Sequence, residues 1–268
     1  MRGTDGPPVA STDHRRRMAA LFDLVAPDYD QHVPFFTEYA KLFVPWVGVG
    51  RGQLVLDIGT GRGALARQVR RRRASAVGVD IAAEMLRRSP TNACLMDALC
   101  LGFPDEVFDV TLGAFSIHLL ADPSLGVSED VRVLRPGGTF ALLLGGRSGS
   151  PRWDFYTDLL RRAGAQSQGE ARMPPVVPFG DPHSVLEAAG LVDIEVSECE
   201  VHVPVADGET FLRGELSHGY RSLFDALPPG PRRELQRELL DHLEAMRGDG
   251  GIVLDRVATC AKGAKRVR

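Results

Sequence analysis

The stretch VLDIGTGRG, residues 55 to 63, sets three glycines at alternate positions directly after an apolar run that closes in an acid. Glycine accepts dihedrals that other residues resist and lets the backbone approach a ligand closely. A strand, a bare turn and a helix in that order make a ligand cradle at the carboxyl edge of a parallel sheet. Asp57 stands two residues ahead of Gly59, where it can orient the glycine loop and hold a polar group of the ligand. Two further acids repeat the placement: Asp80 closes SAVGVD (75–80) and Asp97 closes ACLMD (93–97). After the run VFDVTLGA (107–114) comes GAFSIHLLAD (113–122), whose His118 is a side chain able to take a proton near neutral pH.

These residues need a scaffold, and the pattern around them supplies one. Near-continuous apolar runs at 53–58, 75–80, 93–97, 107–114 and 139–145 alternate with helical stretches near 63–73, 82–88 and 124–134. Such alternation implies a parallel sheet covered on both faces. Two later runs, 192–205 and 251–262, read as strands. Between them PRRELQRELLDHLEAMR (231–247) carries Leu235, Leu239, Leu243 and Met246 on one helical stripe. Ahead of the sheet, a helix is expected over 12–25, with Ser11 or Thr12 as N-cap. An aromatic helix follows over 35–47, which Pro45 should kink or end.

The glycine loop alone admits two readings. Gly59, Gly61 and Ala64 satisfy G-x-G-x-x-[GA], with Asp80 about twenty residues on, as in dinucleotide-binding enzymes. Asp57 argues against a pyrophosphate so close by, and Asp97 and LRPGG (134–138) have no use there. VLDIGTGRG, GVDIAAEML, MDALCLGFPDEVFDV and VLRPGGTFAL, in that order and spacing along 53–145, together resemble the class I S-adenosylmethionine-dependent methyltransferases. FDLVAPDYD (22–30) resembles the N-terminal motif of the small-molecule branch of the ubiquinone/menaquinone methyltransferase type.

The resemblance implies a role for each matching residue. Gly59, Thr60 and Gly61 would line the methionine portion of S-adenosylmethionine, with Asp57 holding the loop or reaching the amino group. Asp80 would accept from both ribose hydroxyls. Ile81 and Met85 would pack on the adenine, and Asp97, beside the Ala98 backbone, would bond its amino group. Gly113 and Ala114 would touch the amino-acid end through main chain, and Tyr29 would close the site from above. His118 is the candidate base for the acceptor. His32, Phe115, His218 and Tyr220 are candidates for the acceptor wall. S-adenosylhomocysteine would be the product.

The rest of the sequence bounds these readings. A chain of 268 residues fits one large domain. The expected fold is α/β: a Rossmann-like doubly wound sheet, mostly parallel with an antiparallel last strand, plus a helical cap. Residues 1–10 read as a disordered tail, 11–50 as helices over the site, 51–150 as the cofactor-binding core. Residues 151–262 would complete the sheet, with a cap inserted at about 206–250, and 263–268 as a solvated tail. Aromatics in 151–190 and 206–250 suit a hydrophobic or aromatic acceptor, such as a polyketide, quinone or modified peptide, and serve equally as the cap's own core.

A net charge of −3 favours neither nucleic acid nor anionic membrane, and the arginine runs 15–17 and 70–73 read as solvated helix faces. No apolar run is long enough to span a membrane, and the N-terminus carries no export-signal core, so a cytoplasmic protein is expected. Four scattered cysteines form no metal-ligand pair, and Asp122 stands without a ligand cluster, so no metal is expected. Only Lys41, Lys262 and Lys265 are lysines, a skew that fits a GC-rich bacterial genome. The expected activity is methyl transfer to a small molecule, oxygen favoured, in bacterial specialised metabolism. The competitors are an NAD-dependent oxidoreductase and a fold relative that binds the cofactor without transferring methyl, a cyclase or binding module.

Overall fold

The computed structural model describes residues 9–166, 178–249 and 251–267. Residues 1–8 of the expected tail, 167–177 of the inserted stretch and the last residue lie outside the described residues.

Among the described residues seven strands form one sheet: β1 (Leu54–Ile58), β2 (Ser75–Asp80), β3 (Ala93–Leu95), β4 (Phe108–Ala114), β5 (Leu134–Ser148), β6 (Leu191–Val205) and β7 (Ile252–Lys265). Their order is β3-β2-β1-β4-β5-β7-β6. The first five pair in parallel, and β7 runs antiparallel between β5 and β6. The expected Rossmann-like sheet with its antiparallel last strand is the one observed.

Strand alternation sorts the core into two layers. Val55, Val110, Leu112, Ala141 and Leu143 face one layer with α2 (Phe35–Val47) and α3 (Ala64–Arg71). Leu56, Ile58, Phe140, Leu142 and Leu144 face the other with α5 (Pro123–Val133) and α7 (Pro182–Ala188). Phe108 lies in the second layer although Val110 lies in the first, because a register shift between them reverses the side-chain parity.

Several boundaries differ from expectation for local reasons. The first helix, α1, spans Val9–Val25 and begins ahead of both expected caps. α2 runs two residues past Pro45 and is closed by Gly48 at φ 87°, the left-handed C-cap geometry. LRPGG does not precede β5 but is its first part. The expected solvated tail is in part strand: Lys265 donates to the carbonyls of Val131 and Leu134 at the end of α5, where a cation also suits the helix dipole. Lys262 lies 4.4 Å over the Trp46 ring.

The feature that shapes the site is the unequal length of the strands. At the register Ile58–Gly113–Leu142, β1 ends while β5 continues six residues to Ser148. At about 3.3 Å per residue that is roughly 20 Å of sheet beyond the edge. β7 and β6 accompany it, pairing as far as Ile252 and Val205. The cap sits on this arm: α6 (Asp154–Gln166), α8 (Gly208–Glu215), α9 (Arg221–Asp225) and α10 (Pro229–Ala245). Trp153 anchors it, fully buried, with its ring 5.3 Å from Phe211 and the Arg256 guanidinium 4.9 Å above it. Leu235, Leu239 and Leu243 of α10 are buried as their stripe predicts. α7, expected in the cover of the acceptor site, instead buries Leu186 in the second layer.

Truncating so large a buried ring costs about 3–5 kcal/mol. Trp153→Ala should therefore lose that much in urea unfolding; a loss below about 1 kcal/mol would place the cap's anchorage elsewhere.

Candidate active site

The glycine loop is braced from beneath. Gly59, Gly61 and Gly63 have φ of 65°, 53° and 78°, the left-handed region where a Cβ is costly. A Cβ on Gly59 would also stand 2.4 Å from the Ser116 side chain. Asp57 is buried at the end of β1 and accepts the Thr60 hydroxyl at 2.7 Å; burial pushes its carboxyl up to about 7 against that bond. Thr60 lines the channel beside the loop, with its hydroxyl turned inward to Asp57 and its side chain packed on Gly78.

Asp80 is no solvated strand end. Its two oxygens accept the amides of Gly61 and Ala82, each at 2.8 Å, so it ties the loop to β2. Burial raises its carboxyl from the ordinary value, those amides opposing. Each carboxylate oxygen has a further lone pair for a ligand hydroxyl.

Two connected cavities open above this brace. One is mainly apolar, walled by Ile81, Met85, Met96, Ala98 and Leu99, with Asp80 and Asp97 at its polar ends. The other runs along the loop past Asp57, Gly59, Gly61, Arg67 and Ala114. Tyr29, Gly59, Gly61, Ala114 and Phe115 line both. An apolar slot with an acid at each end and a bare polar channel beside it fits an adenosine joined to an amino-acid chain. Gly113 lines neither: a Cβ there would meet Ile117 at 2.6 Å, so its bareness serves packing.

The N-terminal segment closes the slot. His14 bonds the Leu119 carbonyl at 2.8 Å, and Arg15 pairs with Asp97. The solvated reading of 15–17 thus fails at Arg15, although Arg17 does pair with nearby Asp13 in solvent. Spacing held a signal: Arg15, Met18 and Phe22 fall on one helical face, and all three line the slot. Behind α1, Asp30 accepts the amides of Phe36 and Thr37, both at 2.9 Å, and fixes the start of α2. Arg62 of the glycine loop donates to the carbonyls of Pro27 and Tyr29, both at 3.2 Å. So held, Tyr29 stacks on Phe36 with ring centroids 4.8 Å apart.

Beyond Tyr29 lies a third cavity, of about 220 Å³. It shares Phe22, Tyr29, Phe115 and Leu119 with the slot and reaches under the cap. Phe35, Phe36, Tyr39 and Phe115 form its aromatic side, with ring centroids 4.9 to 5.6 Å apart. Phe115 has φ 54°, an uncommon strain for a non-glycine residue at the sheet edge. His118, His218 and Tyr220 line this cavity as expected; His32 does not, and sits 4.0 Å from Asp28. Glu215 and Arg256 also line it, and nothing in the sequence pattern marked them. Asp122 caps α5 through the Leu125 amide, and among the described residues no cluster suits a metal.

The chain is 27% identical over 259 residues to nocamycin O-methyltransferase of Saccharothrix syringae, across 87% of this chain and 92% of that one. A demethylmenaquinone methyltransferase of Renibacterium salmoninarum is 31% identical over 166 residues, which span 58% of this chain and 70% of the relative. This chain belongs to the class I S-adenosylmethionine-dependent methyltransferases. The profile of the methyltransferase domain matches residues 56–142 of the methyltransferase, from β1 into β5. The YcgJ protein of Bacillus subtilis shares its fold, with a TM-score of 0.56 at 19% identity over 86% of this chain and 99% of that one. The oxidoreductase alternative gives way to this family, and the donor is S-adenosylmethionine, which the slot and channel fit. No helix among the described residues is long and apolar enough to cross a membrane.

His118 departs from its expectation as a base near neutrality. It is half-buried, its Nδ1 has no hydrogen-bond partner among the described residues, and burial lowers its pKa to about 4. The unfolded chain takes a proton near 6.5, the folded ring only near 4, so stability falls as pH drops through that window. The contribution is at most about 3 kcal/mol. His118→Leu should flatten the fall of melting temperature between pH 6.5 and 4. Equal slopes in the two proteins would mean that the folded ring ionises normally.

Proposed function

We propose that the methyltransferase moves a methyl group from S-adenosylmethionine to an oxygen of a small, flat, conjugated molecule held beneath the cap, in bacterial specialised metabolism. The observation that carries this reading is the shared wall. Phe22, Tyr29, Phe115 and Leu119 line both the adenosine-shaped slot and the aromatic cavity, so donor and acceptor can meet where the two adjoin. In-line displacement at a sulfonium methyl asks the protein mainly for alignment and exclusion of water. The name of the Saccharothrix syringae relative supports oxygen as the target, and that relative matches 87% of this chain.

In this reading Asp80 takes the ribose hydroxyls, and Ile81 and Met85 cover the adenine. Asp97, held by Arg15 and the Leu99 amide, takes its amino group. Ala114, Gly59 and Gly61 carry the amino-acid end. Tyr29, clamped by Arg62 and Phe36, shuts the channel. His118, kept neutral by burial, lines the acceptor cavity.

Calorimetry with S-adenosylhomocysteine and with NAD tests the cofactor part: heat with the first and none with the second is expected. Asp80→Asn, which keeps one acceptor oxygen and gives up one of the two backbone amide bonds, should weaken S-adenosylhomocysteine at least about tenfold, since a bond to a charged acceptor is worth roughly 1.5–3 kcal/mol. Unchanged affinity in the folded variant would assign Asp80 to the loop alone. Donor binding without transfer to any hydroxyl compound would favour a cofactor-binding relative.

A further inference from the structure

The far wall of the acceptor cavity holds a buried ionisable cluster. Glu215 closes α8 with only 6% of its surface exposed, and His218 follows three residues later. His218 Nε2 lies 3.6 Å from one Glu215 oxygen, and the other accepts the hydroxyl of Tyr156 from α6. A buried carboxylate is tolerated when its charge is matched and its lone pairs are filled. Burial pushes the Glu215 carboxyl up, but His218, the nearby Arg256 of β7 and Tyr156 outweigh it and hold the group below its ordinary value. Glu215 is therefore an anion at neutral pH.

The ring is fixed where an acceptor would meet it. It stands edge-on to Phe36 at 5.9 Å and to Tyr220 at 5.5 Å, and Phe36 lies 5.4 Å from Phe115 on the donor side of the cavity. With Nε2 turned to Glu215, the lone pair of the neutral ring is on Nδ1. His118, the other imidazole of this cavity, has no carboxylate partner, and burial makes it the weaker base.

We propose that Glu215 and His218 are the proton-accepting dyad of the acceptor site, and that the acceptor presents an aromatic or enolic hydroxyl. This rests on the oxygen-methylation reading above. The O–H bond breaks toward His218 Nδ1, and the oxygen's electron pair forms the new O–CH3 bond. The donor supplies the methyl as an electrophile, its C–S bonding pair staying on sulfur to leave the neutral thioether. His218 holds the proton as imidazolium against Glu215 and releases it to water when the product leaves. His218 is the catalytic residue and Glu215 the positioning residue, with Tyr156 filling the second oxygen. The other titratable or charged groups lining the cavity are Tyr29, Tyr39, His118, Tyr220 and Arg256, none of them a second carboxylate.

The test uses the full chain saturated with S-adenosylhomocysteine; failure of that saturation would sink the cofactor reading and not the dyad. NMR of the ring nitrogens should show the His218 Nε2 resonance changed in Glu215→Gln, with His118 unaffected. Methyl transfer from labelled S-adenosylmethionine is then followed on 4-nitrophenol, phenol and the two naphthols. His218→Ala should lower kcat on the naphthols by about 10²–10⁴. It should lower kcat far less on 4-nitrophenol above that phenol's ionisation, where no base is needed. Glu215→Gln should move the acid limb of the naphthol pH–rate profile to lower pH, with KM little changed. An acid limb of the naphthol profile unmoved in Glu215→Gln would overturn the proposal. So would equal losses on ionised and un-ionised phenols, or a wild-type protein that binds S-adenosylhomocysteine yet methylates none of the four.

Discussion

The contact on which the site depends is the 2.7 Å hydrogen bond from the Thr60 hydroxyl to the buried carboxylate of Asp57. A loop with three left-handed glycines has little reason of its own to hold one shape. Asp57 ties it from below, Asp80 ties the Gly61 amide to β2, and the Thr60 amide donates to the Val79 carbonyl at 3.0 Å. The acids that look like ligand contacts are first of all the struts of their own cradle. That double use is economical, because a strut that keeps spare lone pairs presents them at a fixed angle.

From this cradle the rest is layered outward. The N-terminal segment closes over the slot through Arg15–Asp97, His14–Leu119 and the Arg62 bonds, and through a small buried cluster of Val25 and Ala26 with Ala82 and Met85. The acceptor side is held differently. There the long strands β5, β7 and β6 carry a cap whose core is Trp153, Phe211, Phe224 and the α10 leucines. Exposed ion pairs are worth little, whereas buried aromatic packing is worth several kcal/mol. The cap's buried core is therefore the larger anchor of the two.

The cap also explains how an ionisable cluster survives inside an aromatic wall. Glu215 is tolerated because the turn after α8, α6 and β7 converge on it with a histidine, a phenol and a guanidinium. None of these is near another in sequence, apart from His218. Removing one of them strands a charge, which is costly, so the cluster stands or falls as a unit.

Much of this was legible in the chain. Apolar runs with period two or none, broken by helical stripes, determined the sheet, its two covered faces and the stripe of α10, because local periodicity records which side of an element is buried. The glycine loop and its acids were legible because the backbone geometry needed there admits few residue types. Tertiary structure alone decided where Arg15 goes, that Gly113 makes room for Ile117, that His32 stays outside, that Lys265 closes α5, and that α7 covers the sheet instead of the acceptor. It alone brought Glu215, Tyr156 and Arg256 to one point. The physical reason is the same in each case. A local pattern is compatible with solvent, an ion pair, a packing contact or a cavity wall, and the choice depends on partners elsewhere in the chain that assemble only in the folded structure.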